Sequence, residues 1–111
     1  MREVNINEYD KKWLFTVEGE GGGEVVLLCR EPFVVRVKFE VPLHWSQNSP
    51  RVWTQILETL DKAKECFPEI SNWDSIHMPN LYDAPKREWC IILTPTKEQR
   101  NTKVTRLILP D

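Results

Sequence analysis

Nine residues, Phe33 to Val41, carry the most restrictive pattern in the chain. Phe33, Val35, Val37, Phe39 and Val41 alternate with Val34, Arg36, Lys38 and Glu40. A period of two matches a pleated strand that buries one face and wets the other, and it does not match a helix. Such a strand needs antiparallel neighbours beside it and something apolar laid on its inner face.

A single helix can supply that cover. Ser49 is a good N-cap, and Pro50 suits the first helical turn, where its missing N–H has no partner to lose. Trp53, Ile56, Leu57, Leu60 and Phe67 recur at helical spacing as one apolar stripe, with Ala63 and Cys66 at its margins. Glu58 and Lys62 form an i,i+4 pair in the favoured order. Lys62 and Lys64 complement the negative end of the helix dipole, and Pro68 ends the helix.

Further strands flank these two elements. Trp13 to Glu18 reads as a strand with Trp13, Phe15 and Val17 on one face. Gly19, Gly21, Gly22 and Gly23 make a hairpin loop, and Glu24 to Arg30 returns. The apolar residues of that return strand fall on both parities, so it is central or covered on both faces. Arg2 to Tyr9 carries a weaker alternation. Glu88 to Thr94 and Thr102 to Leu109 are two later strands, joined by a polar turn. In the last, Val104, Arg106 and Ile108 share a parity, so one of them breaks the pattern. Pro68 to Arg87 shows no clear period and reads as a twenty-residue loop.

The expectation is one α+β domain over residues 1–111. It has an antiparallel sheet of five to six strands, one amphipathic helix on one face, and the order (β)βββαββ. With 41% apolar and 29% charged residues, the chain has the composition of a folded domain rather than a disordered one. No internal repeat occurs.

Charge narrows the function. The net charge is −2, which argues against a strongly basic nucleic-acid binder. The distribution is uneven: Lys86 to Arg106 carries net +4 and the remainder net −6. That positive stretch is either a set of solvated strand faces or a docking face for an acidic partner. The first ten residues have no apolar core of a leader, and no apolar run is longer than the five residues of Val25 to Cys29, far too short to span a membrane. A cytoplasmic protein without membrane contact is expected.

Chemistry-bearing motifs are absent. The glycine cluster lacks the third glycine of a dinucleotide fingerprint, because Glu24 stands there, and a strand rather than a helix follows. Cys29, Cys66 and Cys90, with His44 and His77, have none of the short spacings of a metal chelate, so neither metal nor cofactor is expected. Three cysteines make no disulfide framework; each lies in or beside an apolar run, as a buried, inert thiol would. Asp74 and Asp83 lie near His77 in sequence, but no nucleophile accompanies them, and no catalytic residue is assigned.

The aromatics say more. Trp13, Trp53 and Trp89 fall on core faces by periodicity. Trp45, Trp73 and Tyr82 lie in loops, where aromatic rings either clamp the loop to the core or anchor a partner. Together with His77 and Arg87 they form the candidate binding surface: Trp45, Trp73, His77, Tyr82 and Arg87.

The leading functional expectation is a small non-enzymatic module acting through protein–protein contact, as an adaptor, inhibitor or immunity-type protein, or through self-association. One alternative is a pocket protein or enzyme using His77 or His44. Another is a nucleic-acid accessory protein gripping a backbone with the basic C-terminal hairpin.

Overall fold

The computed structural model describes residues 2–18, 22–42, 50–80 and 86–110; for residues 41, 42, 52, 78–80 and 86–88 only the backbone is described. Among these residues, seven strands and one α-helix follow in the order β1 (Arg2–Asn5), β2 (Trp13–Val17), β3 (Gly23–Arg30), β4 (Phe33–Pro42), α1 (Pro50–Glu65), β5 (Trp73–Asn80), β6 (Lys86–Pro95) and β7 (Arg106–Leu109). Short 3-10 turns occupy Ile6–Glu8 and Lys97–Gln99. The fold is α+β: a five-stranded antiparallel sheet in the order β2-β3-β4-β6-β5, and a separate two-stranded sheet of β1 and β7.

β4 follows its sequence pattern. Phe33, Val35, Val37 and Phe39 are all buried, and Val34, Arg36 and Lys38 are half-exposed. Register carries this inner face across to β6, where Leu93, Ile91 and Trp89 stand opposite Val35, Val37 and Phe39 and are buried too. β3 is central, between β2 and β4. Val17 pairs with Gly23 at the end of the antiparallel β2–β3 ladder; Gly19 and Gly21, expected in the connecting hairpin loop, lie outside the described residues. Gly23 is constrained by space: a Cβ there would lie 1.9 Å from the carbonyl oxygen of Lys38.

The helix begins at Pro50, as its sequence predicts, but the face it buries is rotated from the expected stripe. Ile56, Thr59, Ala63 and Cys66 face the sheet, and Phe67 follows them into the core. Leu57 and Trp53 lie on the flank and are 57% and 39% exposed. Thr59, Ala63 and Cys66 are small, which allows close approach to the sheet, and Thr59 satisfies its hydroxyl internally by donating to the Gln55 carbonyl oxygen at 2.8 Å. Beyond the helix, the Phe67 ring meets Phe33 edge-on with centroids 4.6 Å apart.

β2 departs from simple alternation. Trp13 pairs with Val26 while Phe15 pairs with Val25, so two steps on β2 answer one on β3. This bulge turns both Leu14 and Phe15 inward and leaves Trp13 47% exposed, against the expectation that Trp13 shares the inner face with Phe15. A second bulge, between Leu27 and Cys29, accompanies exposure of Leu28 and Cys29. The expectation of three buried thiols therefore holds for Cys66 alone. Cys29 is exposed and Cys90 half-buried. Burial, with the carboxylate of Glu65 nearby, pushes the Cys66 thiol up to about 12.

The largest difference lies in the segment read as a long loop. Residues 73–80 form β5, an edge strand hydrogen-bonded to β6. The chain ends differ as well. β7 pairs with β1, not with β6, so there is no basic C-terminal hairpin. Leu107 and Leu109 point into the core, Ile108 is half-buried, and Arg106 is exposed and ion-paired to Glu3. Glu69, just after the helix, ties this small sheet down: it accepts from the backbone N–H of Thr105 at 3.0 Å, from the Thr105 hydroxyl at 3.0 Å and from the Arg106 N–H. Partial desolvation opposes ionisation, but these donors outweigh it and hold the Glu69 carboxyl below its ordinary value.

Candidate functional site

β5 has one neighbour, β6, and so presents a free edge among the described residues. Its hydrogen-bond phase follows from one bond. Thr96 N–H donates to the Asn72 carbonyl oxygen at 3.1 Å, which makes Asn72 and Thr96 a bonded pair. Bonded and non-bonded pairs alternate in an antiparallel ladder. Asp74, Ile76, Met78 and Asn80 therefore turn their backbone groups toward β6, while Trp73, Ser75, His77 and Pro79 turn theirs outward. The prolines agree with this phase. Pro95 opposite Trp73 and Pro79 opposite Trp89 both fall in non-bonded pairs, where a missing N–H costs the ladder nothing.

Side chains flank this edge on both faces. On the helix side, His77 lies beside the buried Trp89 with centroids 5.0 Å apart, and Trp89 lies 5.6 Å from Trp53. The exposed Leu57 is one helical turn beyond Trp53. Trp89 is 5% exposed, and its indole N–H is buried with no acceptor among the described residues. On the opposite face no helix among the described residues covers the sheet. A single cross-strand row runs Trp13, Val26, Arg36, Ile92, Ile76 over all five strands. Both ends of the row are open, with Ile76 57% exposed. Arg36, at its centre, is paired with Glu24 at 3.5 Å.

The sequence-predicted site residues separate. Trp73 begins β5, and its ring packs against Phe67 and Phe33 at 5.9 and 6.1 Å, so it clamps the strand to the core rather than presenting a free anchor. His77 is exposed on the same face, two strand repeats (four residues) further along. Arg87 pairs through its backbone with Val41, two residues before Trp89. Trp45 and Tyr82 lie outside the described residues, as do His44 and Asp83. The residues missed in the sequence are Ile76, Trp53 and Leu57. Exposure of large apolar side chains on a flank and an edge is their only signal, and it needs the tertiary arrangement.

Other chemistry finds little support in the geometry. Asp74 and His77, three apart on one strand, lie on opposite faces and do not form a couple. Among the described residues, no three His, Cys, Asp or Glu side chains converge as a metal site. The basic residues do not form one face. Lys86 and Arg87 start β6, whereas Arg100 and Lys103 lie beyond its far end, beside Arg30 in a groove of about 750 Å³. Arg30 is itself engaged, donating to the carbonyl oxygens of Ile6 and Tyr9. No helix among the described residues is long and apolar enough to cross a membrane. No protein-family model matches the chain, and no curated protein or solved structure matches it.

Proposed function

We propose that this protein is a non-enzymatic binding module that captures an extended protein segment along the free edge of β5. The observation carrying this reading is the combination at one strand of outward backbone groups at Trp73, Ser75 and His77 with exposed apolar side chains on both flanks. Strand addition draws affinity from main-chain hydrogen bonds and selectivity from alternate side chains. An added strand would set one parity beside Ile76 on the open face. It would set the other beside His77, under the flank of Trp53 and Leu57. Trp53, 39% exposed, supplies large, rigid area of the kind that dominates interface energetics.

The test uses the full chain, tagged and purified from its own host, as wild type and as Ser75→Pro. Ser75 gives no ladder bond to β6, so the proline removes an outward N–H and leaves the sheet intact. A polypeptide retained by the wild type and lost from a folded Ser75→Pro is the expected result. Equal retention by both proteins, or by neither, contradicts the reading.

A further inference from the structure

We infer that the occupant of the β5 edge is a second copy of the same strand, paired antiparallel about a two-fold axis at Ile76. This rests on the reading of β5 as the recognition edge and names its partner.

The argument is one of self-complementarity. Outward backbone groups sit at residues 73, 75, 77 and 79. Two identical antiparallel edges bond only when outward positions meet outward positions. A two-fold at residue 75, 76 or 77 satisfies this within the strand, and the axis at Ile76 alone aligns the whole span 73–79 with itself. In that register Ser75 and His77 of each copy exchange both N–H and C=O bonds with His77 and Ser75 of the other. Trp73 N–H meets the Pro79 carbonyl at each end. Proline thus stands where it forfeits one bond at each end and none in the middle.

Side-chain chemistry favours the same register. Ile76 meets Ile76 of the second copy in a non-bonded pair, where side chains approach most closely. The cross-strand row Trp13, Val26, Arg36, Ile92, Ile76 then continues through the axis into its own repeat, and the exposed end of the row is covered. Asp74 comes opposite Met78 of the second copy and not opposite its own counterpart, so like charges do not face each other. Residues 73–80 contain no lysine, the residue that most often guards an edge against pairing. An isologous contact of this kind closes at two copies and joins two five-stranded sheets into one of ten strands. A single strand pair is a small interface, so the dimer should dissociate on dilution.

Sedimentation of the full chain over a concentration series should show a monomer passing to a dimer, and Ser75→Pro should remain monomeric throughout. A cross-linking pair fixes the register. In a Cys29→Ser, Cys90→Ser background, Ile76→Cys oxidised with diamide should give a disulfide dimer, because non-bonded Cα atoms lie within disulfide reach. Asp74→Cys should not, since it faces residue 78. A wild type that stays monomeric at every concentration overturns self-pairing, while retention of another polypeptide that Ser75→Pro loses would still uphold strand addition. A dimer that survives Ser75→Pro places the contact elsewhere and overturns the inference. If Ser75→Pro fails to fold, the cross-linking pair decides: equal or absent disulfide formation by the two cysteine variants overturns the register.

Discussion

Ile76 and His77 are consecutive residues of one edge strand, and they look out from opposite faces of the sheet. Ile76 stands opposite Ile92 at the end of a cross-strand row, centred on Arg36, that no described helix covers. His77 stands opposite Ile91 and lies against Trp89 beneath the helix flank. One backbone edge therefore offers two chemically different margins. On these two margins rests the proposal that β5 is a recognition element.

Gly23 has no room for a methyl group. A Cβ would meet the Lys38 carbonyl at 1.9 Å, a backbone atom that cannot move without shifting β4. Gly23→Ala is expected to destabilise the protein by about 1–3 kcal/mol, the range for forced overpacking. Urea denaturation reads this as a lower midpoint with an unchanged slope.

The helix gives a paired prediction. Ile56→Ala, at the buried centre, should cost about 2–5 kcal/mol, whereas Leu57→Ala, next in sequence but on the exposed flank, should fall within about 0.5 kcal/mol of wild type. A stripe read from spacing alone assigns both residues to the core. Thermal unfolding of the two variants separates these cases.

Glu69 makes stability depend on acid. Its carboxyl is held below the ordinary value in the folded protein, chiefly against desolvation by the donors of Thr105 and Arg106. A group depressed on folding contributes stability above its unfolded value and loses it as pH falls through its folded value. Stability should therefore decline on acidification below the ordinary carboxylate range. In Glu69→Gln that decline should be shallower. The measurement is the denaturation midpoint of both proteins from neutral pH downward.

The cysteines should divide by position. Cys29, exposed beyond the β3 bulge, should react readily with a thiol reagent in the native protein. Cys66 is buried, its thiol is pushed up to about 12, and it donates to the Lys62 carbonyl at 3.3 Å. It should react only after unfolding. Mass spectrometry after timed alkylation measures both rates.

These contrasts show where the sequence is legible. The alternation of Phe33 to Phe39 and the Pro50 start of the helix are local patterns, and the structure follows them. Trp13 misleads because a bulge changes parity without changing the sequence pattern. Trp53 and Leu57 mislead because helical spacing finds a stripe but not which part of it meets the sheet. β5 escapes notice because Trp73, Ser75 and His77 on one face and Asp74 and Ile76 on the other show no apolar alternation. The pairing of β7 with β1 depends on contacts across almost the whole chain, and no local signal reports it.

Residue-resolved amide hydrogen exchange tests the central claim most directly. In dilute protein, Asp74 and Ile76 should be protected by β6, while Ser75 and His77 exchange freely from the open edge. At high concentration, or with a captured partner bound, Ser75 and His77 should become protected together. Protection of Ser75 and His77 in the dilute protein, or their continued free exchange in the complex, would contradict the account.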